Sequence, residues 1–242
     1  MILIKRPILC EFRRVIHPGD STSVHFLHIG KSGGTAIKRR LRDVNRDARR
    51  IAVIAHQHKI SLADLPRNAP YFFSVREPVS RFRSAFYSRK RKGQPTAFRD
   101  WSPVEAVTFD RFPHANDLAE SLFEDGDTGR AAFIAMKSMV HVRKHQHMWF
   151  PDRSIPLDTR PPICVLRQEH LDDDFEDLKR LLRLPAEMKL DKDPAKAHRN
   201  DYRQATPLSD KAVANLKAWY AIDVQFYKLV DAWVREHQKT AS

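Results

Sequence analysis

Glycine is scarce in this chain, and its few copies are unevenly placed. The sequence has 7 glycines in 242 residues, and Gly30, Gly33 and Gly34 lie almost together in the segment FLHIGKSGGT at 26–35. A short apolar strand is predicted to lead into this turn, and an amphipathic helix to follow it. Glycines let backbone N–H groups point inward, the helix start adds the positive end of its dipole, and Lys31 adds a full charge. The segment therefore predicts a site for phosphate or sulfate.

Cysteines and long apolar runs are also few. Cys10 and Cys164 do not form a disulfide framework, and Cys164 lies in the apolar run Ile163–Leu166, which predicts a core position. No stretch approaches the roughly 18 apolar residues that cross a membrane. The N-terminal apolar residues are interrupted by Lys5–Pro7, which is not typical of a signal peptide. We therefore expect a cytoplasmic protein with no membrane span.

Acidic residues are too few to balance the basic ones. Lys and Arg number 43 and Asp and Glu number 30, for a net charge of +13. Residues 31–50 carry eight basic and two acidic side chains, and residues 76–99 carry eight basic and one acidic, so these two segments account for the whole excess. Such segments can be solvated helix faces, but both adjoin the motifs described here. They favour a basic cleft for an anionic ligand or polymer.

Apolar runs alternate with helical patterns along the chain. The predicted strands are Val24–Ile29, Ile51–Ala55, Tyr71–Val75 and Ile163–Leu166. This alternation is typical of βαβ units, so we predict an α/β fold with a central parallel sheet flanked by helices. We expect a single domain over residues 1–242, with its core at about 24–236.

The remaining segments are predicted from their composition. Asp210–His237 has the spacing of apolar and aromatic residues that is typical of a helix. Lys92–Pro113 and Pro151–Pro162 are rich in proline and are predicted loops. Leu190–Pro207 is polar and basic, and we interpret it as a loop that covers a ligand.

The second informative segment is YFFSVREPVSRFRSAFY at 71–87. Arg76 follows a predicted strand, and Pro78 begins a predicted helix that carries Ser84. Because ligands bind at the carboxyl ends of parallel strands, Arg76 should lie near Lys31, where a guanidinium can bind a phosphate with two hydrogen bonds. Taken alone, Arg76 and Glu77 could equally be a surface ion pair.

Together the two segments resemble the carbohydrate sulfotransferase family, whose members use 3′-phosphoadenosine-5′-phosphosulfate (PAPS). The family's 5′-phosphosulfate loop typically reads PKTGGT, and this chain has GKSGGT at 30–35. Its 3′-phosphate motif is similar to RDPVxRxxSxYY, and this chain has REPVSRFRSAFY at 76–87. The runs LRQEHLDDDFEDLKRLL, RNDYR and LKAWYAIDVQFY are also similar, so the likeness covers about residues 25–230. Gly30, Ser32 and Glu77 depart from the family pattern.

The resemblance implies a three-layer, P-loop-like fold and a set of cofactor-binding residues. The residues that would bind the 5′-phosphosulfate are Lys31, Ser32, Gly33, Gly34 and Thr35. Arg76 and Ser84 would bind the 3′-phosphate. Lys31 would also act in catalysis, because it can stabilise the charge that develops on the bridging oxygen.

An acceptor hydroxyl also needs a base, and the sequence AHQHKISL at 55–62 offers His56 and His58. An HxH here resembles the uronic-acid 2-O-sulfotransferase branch, where the second histidine looks like the base. We therefore favour His58 and keep His56 as the alternative. One hydroxyl needs one base, so the two histidines are alternatives for a single role.

A second histidine group, His141, His145 and His147, has the pattern HxxxHxH. It lacks the cysteine or glutamate partners of common zinc motifs, so no metal site is predicted. Gln146 matches a family glutamine and is expected to contact the acceptor or to pack in a loop. Glu169 is expected to support the site or to begin a helix.

The sequence thus predicts an O-sulfotransferase that transfers a sulfuryl group from PAPS to a hydroxyl of a saccharide, which the basic excess suggests is acidic. A sulfotransferase for protein tyrosine or a small alcohol is the nearest alternative. A P-loop kinase is less favoured, since His25 occupies the position where its motif needs a glycine. A nucleic-acid-binding protein would account for the charge but not for the order of the motifs.

Overall fold

The computed structural model describes residues 22–47, 51–95, 97–150, 157–190 and 205–238. Four strands form its sheet: β1 (Thr22–Leu27), β2 (Ile51–Ala55), β3 (Tyr71–Val75) and β4 (Cys164–Arg167). The helices are α1 (Gly34–Asp47), α2 (Pro78–Lys90), α3 (Pro103–Arg111), α4 (Ala115–Glu120), α5 (Gly126–Ser138), α6 (Leu171–Leu182), α7 (Asp210–Trp219) and α8 (Ala221–His237).

The sheet is parallel throughout and has the order β2-β1-β3-β4. The chain passes from β1 outward to β2 and then returns past β1 to β3, so the strand order reverses between β1 and β3. Open α/β sheets bind ligands at the carboxyl ends of the strands at such a reversal. The turn with Lys31 follows β1 and Arg76 follows β3, so both lie at this point.

The sheet is the middle of three layers. Alternate residues of a strand face opposite sides, and in β3 Phe72 packs on one side while Tyr71 and Phe73 pack on the other. The first side is covered by α1 and α6, and the second by α8. The predicted three-layer α/β fold is confirmed, and Cys164 is fully buried in it, as predicted.

A separate apolar cluster, outside these three layers, joins five helices. It contains residues of α2, α3, α4, α5 and α7, among them Phe82, Phe86, Phe109, Leu118, Met136 and Leu216. Helix α2 therefore belongs to this helical cluster, while its first residues follow β3 directly. Among the described residues, no helix has the length and apolar character needed to cross a membrane.

The predicted loop Lys92–Pro113 was wrong in part, because α3 lies within it. Pro103 is the first residue of this helix, and Ser102 caps it by accepting a hydrogen bond from the N–H of Glu105. Proline suits that position because its missing N–H would have no partner there. Val104 and Val107 are exposed, so the apolar residues of this helix do not mark one buried face in the way that predicts a helix.

Of the other predicted segments, the C-terminal helical stretch is described by the structure, and the two remaining loops are described only in part. The helical stretch Asp210–His237 is confirmed as α7 and α8, with a break at Tyr220. Residues 191–204 and 151–156 fall outside the described residues, so most of the covering loop and half of the second proline-rich loop stay predictions. Cys10 and the N-terminal segment also lie outside them.

Arg167 at the end of β4 ties the two outer layers to the sheet. Its guanidinium is 3% exposed and lies 2.7 Å from a carboxylate oxygen of Asp174 in α6 and 2.6 Å from one of Asp231 in α8. The backbone N–H of Arg167 also donates to Asp174. Asp174, which lies in the acidic first turn of α6, thus also neutralises a buried charge.

We expect Asp174→Asn to destabilise the fold, because it leaves part of a buried guanidinium charge without its partner. The loss should be about 3 kcal/mol of unfolding free energy. Asp173→Asn is the matched control, since it makes the same change at an exposed position of the same helix turn and should cost less than about 1 kcal/mol. Urea unfolding of both variants measures this, and equal losses would contradict the role given to Asp174.

Candidate functional site

The turn after β1 needs glycine at two positions. Gly33 has φ +80°, and a Cβ there would lie 2.1 Å from Gln168 Oε1. A Cβ on Gly34 would lie 2.1 Å from the ring of His28. The positive φ at Gly33 and the contact with the His28 ring at Gly34 disfavour any other residue, so this form of the turn favours glycine at both positions.

The rest of the turn exposes backbone N–H groups at the start of α1. The Ser32 side chain faces inward, where its hydroxyl donates to the Ile29 carbonyl at 2.6 Å and lies 3.0 Å from Ser74 Oγ. Any contact of Ser32 with a ligand would therefore come through its backbone N–H. Thr35 is exposed in the first turn of α1, where N–H groups have no partner within the helix and no acidic residue competes for them. This end of α1 can bind an anion.

Lys31 adds a positive charge to the turn, and its surroundings disfavour that charge. Its Nζ donates to Ser88 Oγ of α2 at 2.5 Å. Burial, together with the nearby guanidinium groups, lowers the pKa of Lys31 to about 8. The arginines concerned are Arg91, Arg81, Arg76 and Arg89. Because the attraction of a bound anion would offset both the repulsion and the cost of desolvating Lys31, this cluster suits a ligand with several negative charges.

Arg76 lies beside the turn, at the end of β3. Its backbone N–H donates to the side chain of Gln146 at 3.0 Å, and its carbonyl accepts from the same amide at 2.7 Å. Its Nε donates to Ser80 Oγ at 2.8 Å. Ser84 is one helical turn beyond Ser80 on the same face and is 5% exposed. Arg76, Ser80 and Ser84 thus follow one line along α2, and the sequence motif had not singled out Ser80.

Gln146 and Glu169 both position this part of the site. Gln146 is fully buried and its amide is used on Arg76, so it packs in the structure rather than facing an acceptor. Glu169 accepts from the N–H of Glu77 at 3.1 Å and from the Tyr227 hydroxyl at 2.9 Å. Glu77 in turn caps α2 by accepting from the N–H groups of Val79 and Ser80, which is a different role from the surface pair with Arg76 that the sequence left open.

Arg81 connects α2 to the glycine turn, a contact that the sequence did not reveal. Its side chain is 2% exposed. Its Nε donates to the Gly30 carbonyl at 2.9 Å, and its Nη2 donates to the Lys144 carbonyl at 2.9 Å. The signal was its place inside the motif at 76–87, five residues after Arg76. Burial lowers the pKa of Arg81, and Tyr220 and Asp223 oppose that shift.

Arg89 forms an ion pair with Glu105 of α3, the helix that the sequence did not predict. Glu105 of α3 accepts from Arg89 Nε and Nη2, each at 2.7 Å, and both side chains are buried. Burial alone would raise the pKa of Glu105, but the hydrogen bonds from Arg89 outweigh it and lower the pKa to about 2. Glu105 also accepts from the N–H of Val140. It therefore fixes both a member of the cationic cluster and the segment before His141.

The two histidines after β2 have different neighbours. The His56 ring nitrogen Nε2 lies 2.9 Å from His25 Nδ1, and the Lys38 ammonium donates to the His56 carbonyl. His58 is exposed, and its Nδ1 lies 3.3 Å from the His28 carbonyl. A carbonyl can only accept, so this contact requires a proton on Nδ1 and leaves the lone pair on Nε2.

The surroundings keep His58 in its neutral form. Loss of water around the ring lowers the pKa of His58, as do the charges of Lys38, Lys31 and Lys144, while the bond to His28 opposes the shift. The centroid of the His28 ring lies 4.0 Å from that of the His58 ring. The pKa of His28 is lowered to about 2, and burial is the largest cause. A neutral imidazole with a free Nε2 can accept a proton from a hydroxyl.

Two members of the second histidine group, His145 and His147, lie around Asp223. His145, His147 and Asp223 offer ligand atoms within 4.8 Å of one another, the arrangement in the described residues that comes nearest to a metal site. However, the Asp223 carboxylate already accepts from the N–H groups of Gln146 and His147 and from His147 Nδ1. The cationic Arg81 lies near as well. These contacts assign the cluster to holding the segment that carries Gln146.

Comparison with known proteins supports the sequence prediction. The model of the sulfotransferase family matches residues 19–229, which is most of the chain. The chain therefore belongs to the sulfotransferase family, and it is a transferase that moves a sulfuryl group. It has no significant match among curated proteins or among solved structures.

Proposed function

We propose that this sulfotransferase uses PAPS as its donor and a saccharide hydroxyl as its acceptor. The observation that carries the proposal is the pairing of two anion sites on neighbouring strands, the Lys31 turn after β1 and Arg76 after β3. PAPS has two separate anionic groups, the 5′-phosphosulfate and the 3′-phosphate, so one ligand can occupy both sites.

The residues present fit this donor. Gly33 and Gly34 let the turn pack against Gln168 and the ring of His28, and the half-buried Lys31 lies among arginines that an anion would neutralise. Arg76, with Ser80 and Ser84 along α2, would bind the 3′-phosphate. PAPS would supply an activated sulfuryl group on a phosphate leaving group, and Lys31 would stabilise the charge that develops there.

His58 would remove the proton from the acceptor hydroxyl. Its Nε2 is free because the His28 carbonyl holds the proton on Nδ1, whereas His56 Nε2 is in contact with His25. The geometry therefore favours His58 over His56 as base. The basic side chains within 31–42 and 76–92, which adjoin the two anion sites, favour an acidic saccharide.

We expect binding of 3′-phosphoadenosine 5′-phosphate (PAP), the product, to take up a proton near pH 8.5. The free Lys31 has a pKa of about 8, and a bound anion should raise that pKa. Affinity should be full below pH 8 and should fall above it, by up to about tenfold per pH unit until the bound pKa is reached. Calorimetry in buffers of different ionisation enthalpy measures the proton uptake directly.

The Lys31→Ala and Lys31→Arg variants serve as controls for this linkage. Neither side chain titrates between pH 7 and 9.5, so both should bind PAP without proton uptake. Uptake that persists in Lys31→Ala would assign the titration to another group and would contradict the role of Lys31.

We expect His58→Ala to lower kcat by roughly 10²–10⁴-fold while PAP affinity stays the same, because a base contacts the acceptor rather than the nucleotide. His56→Ala is the matched control and should have a much smaller effect. The assay uses ³⁵S-labelled PAPS with a panel of chondroitin, hyaluronan, O-desulfated heparin, simple phenols and a tyrosine peptide. Labelling of the phenols or the peptide alone would contradict the saccharide proposal, and a large loss only in His56→Ala would move the base to His56.

A further inference from the structure

His141 lies on the same side of the glycine turn as the proposed base. A Cβ on Gly30 would stand 3.4 Å from His141 Nδ1 and 3.6 Å from His58 Nδ1. The two imidazole rings meet edge to face, with their centroids 5.8 Å apart. His141 comes from the segment after α5 and His58 from the segment after β2, so the fold brings them together from distant parts of the chain.

The backbone of His141 is in a conformation that residues with a side chain rarely adopt. Its φ is +70°, in the left-handed region, and Lys31 has nearly the same value, +69°. The two strained residues therefore lie in one site. Strain of this kind persists where the surrounding contacts enforce it, and it is concentrated at functional sites. The N–H of the preceding Val140, held by Glu105, is one such contact.

The His141 side chain is neutral and available for a ligand. Burial, Lys31, His58 and neighbouring arginines lower its pKa to about 3. Within the part of the chain that the structure describes, its ring nitrogens have no hydrogen-bond partner, and its ring contact is with His58. The ring remains partly exposed. A neutral imidazole can donate one hydrogen bond and accept another, so a ligand that reaches the exposed part of the ring can bind to it.

We propose that His141 is an acceptor-binding residue, which forms a hydrogen bond to a hydroxyl of the acceptor sugar next to the hydroxyl that His58 deprotonates. This inference rests on the proposed function. A sugar offers adjacent hydroxyl groups, and two imidazoles at the spacing seen here can bind one each. His141 then orients the reacting hydroxyl toward His58 Nε2, and it distinguishes a sugar from an acceptor with one hydroxyl.

The test uses His141→Gly. Glycine adopts a φ of +70° without strain, so this variant should fold at least as well as the parent protein, as its melting temperature will show. With the best saccharide of the panel, kcat/KM should fall roughly 10- to 100-fold, mainly through a higher acceptor KM, while PAP affinity stays unchanged. Added imidazole should restore part of the lost activity by occupying the space of the missing ring.

Arg183→Gly is the matched control. Arg183 has φ +52° at the exposed end of α6, so the same substitution relieves the same backbone strain far from the site. It should leave kcat/KM unchanged, and imidazole should have no effect on it. This comparison separates the loss of the His141 ring from the change in backbone flexibility.

Each outcome decides between two explanations. Unchanged acceptor kinetics in His141→Gly, in a parent protein that sulfates a saccharide, would overturn this inference and leave the proposed function standing. A parallel loss of PAP affinity would also overturn it, because His141 would then act on the donor. A parent protein that sulfates no saccharide of the panel would contradict the proposed function, and this inference with it.

Discussion

The buried guanidinium of Arg81 is the contact on which the rest of the site depends. It donates to the carbonyls of Gly30 and Lys144, and so joins the turn after β1 and the segment after α5 to helix α2. Neither carbonyl could be left without a donor at low cost, since an unsatisfied buried group costs about 1–3 kcal/mol. Asp223 lies near enough to offset part of the charge and itself holds the segment with Gln146. The anion sites after β1 and β3 are therefore joined to each other through α2.

The same arrangement places positive charges close together at a cost to the unliganded protein. Lys31 loses much of its affinity for a proton because it is buried beside arginines. Glu105 offsets the charge of Arg89, and Asp223 offsets part of the charge of Arg81. A ligand that binds the folded protein and brings negative charge repays this cost and stabilises the fold by mass action. The electrostatics thus suit an anionic donor before any catalytic step is considered.

The sequence predicted what depends on local patterns and on the geometry of parallel sheets. Buried strands are apolar runs, and the carboxyl ends of neighbouring strands meet, so the proximity of Lys31 and Arg76 could be predicted. Helix α3 could not, because Pro103 is usually read as a helix breaker and the helix hides little apolar surface. The direction of Arg81 and the contact of His28 with His58 depend on how α2 packs and on which residues end β1 and β2. Such tertiary features leave no periodic signal in a single sequence.

The most direct test of the account is calorimetric binding of PAP and of ADP to the parent protein, Arg76→Ala and Arg76→Lys. ADP lacks the 3′-phosphate, so the parent should bind it more weakly than PAP, by roughly 1.5–3 kcal/mol for each charged hydrogen bond lost. Arg76→Ala should lose most of this preference, and Arg76→Lys should keep only part, because an ammonium cannot bind two oxygens as a planar fork. Equal affinities of the parent protein for PAP and ADP would contradict the assignment of Arg76 to a 3′-phosphate and, with it, the use of PAPS.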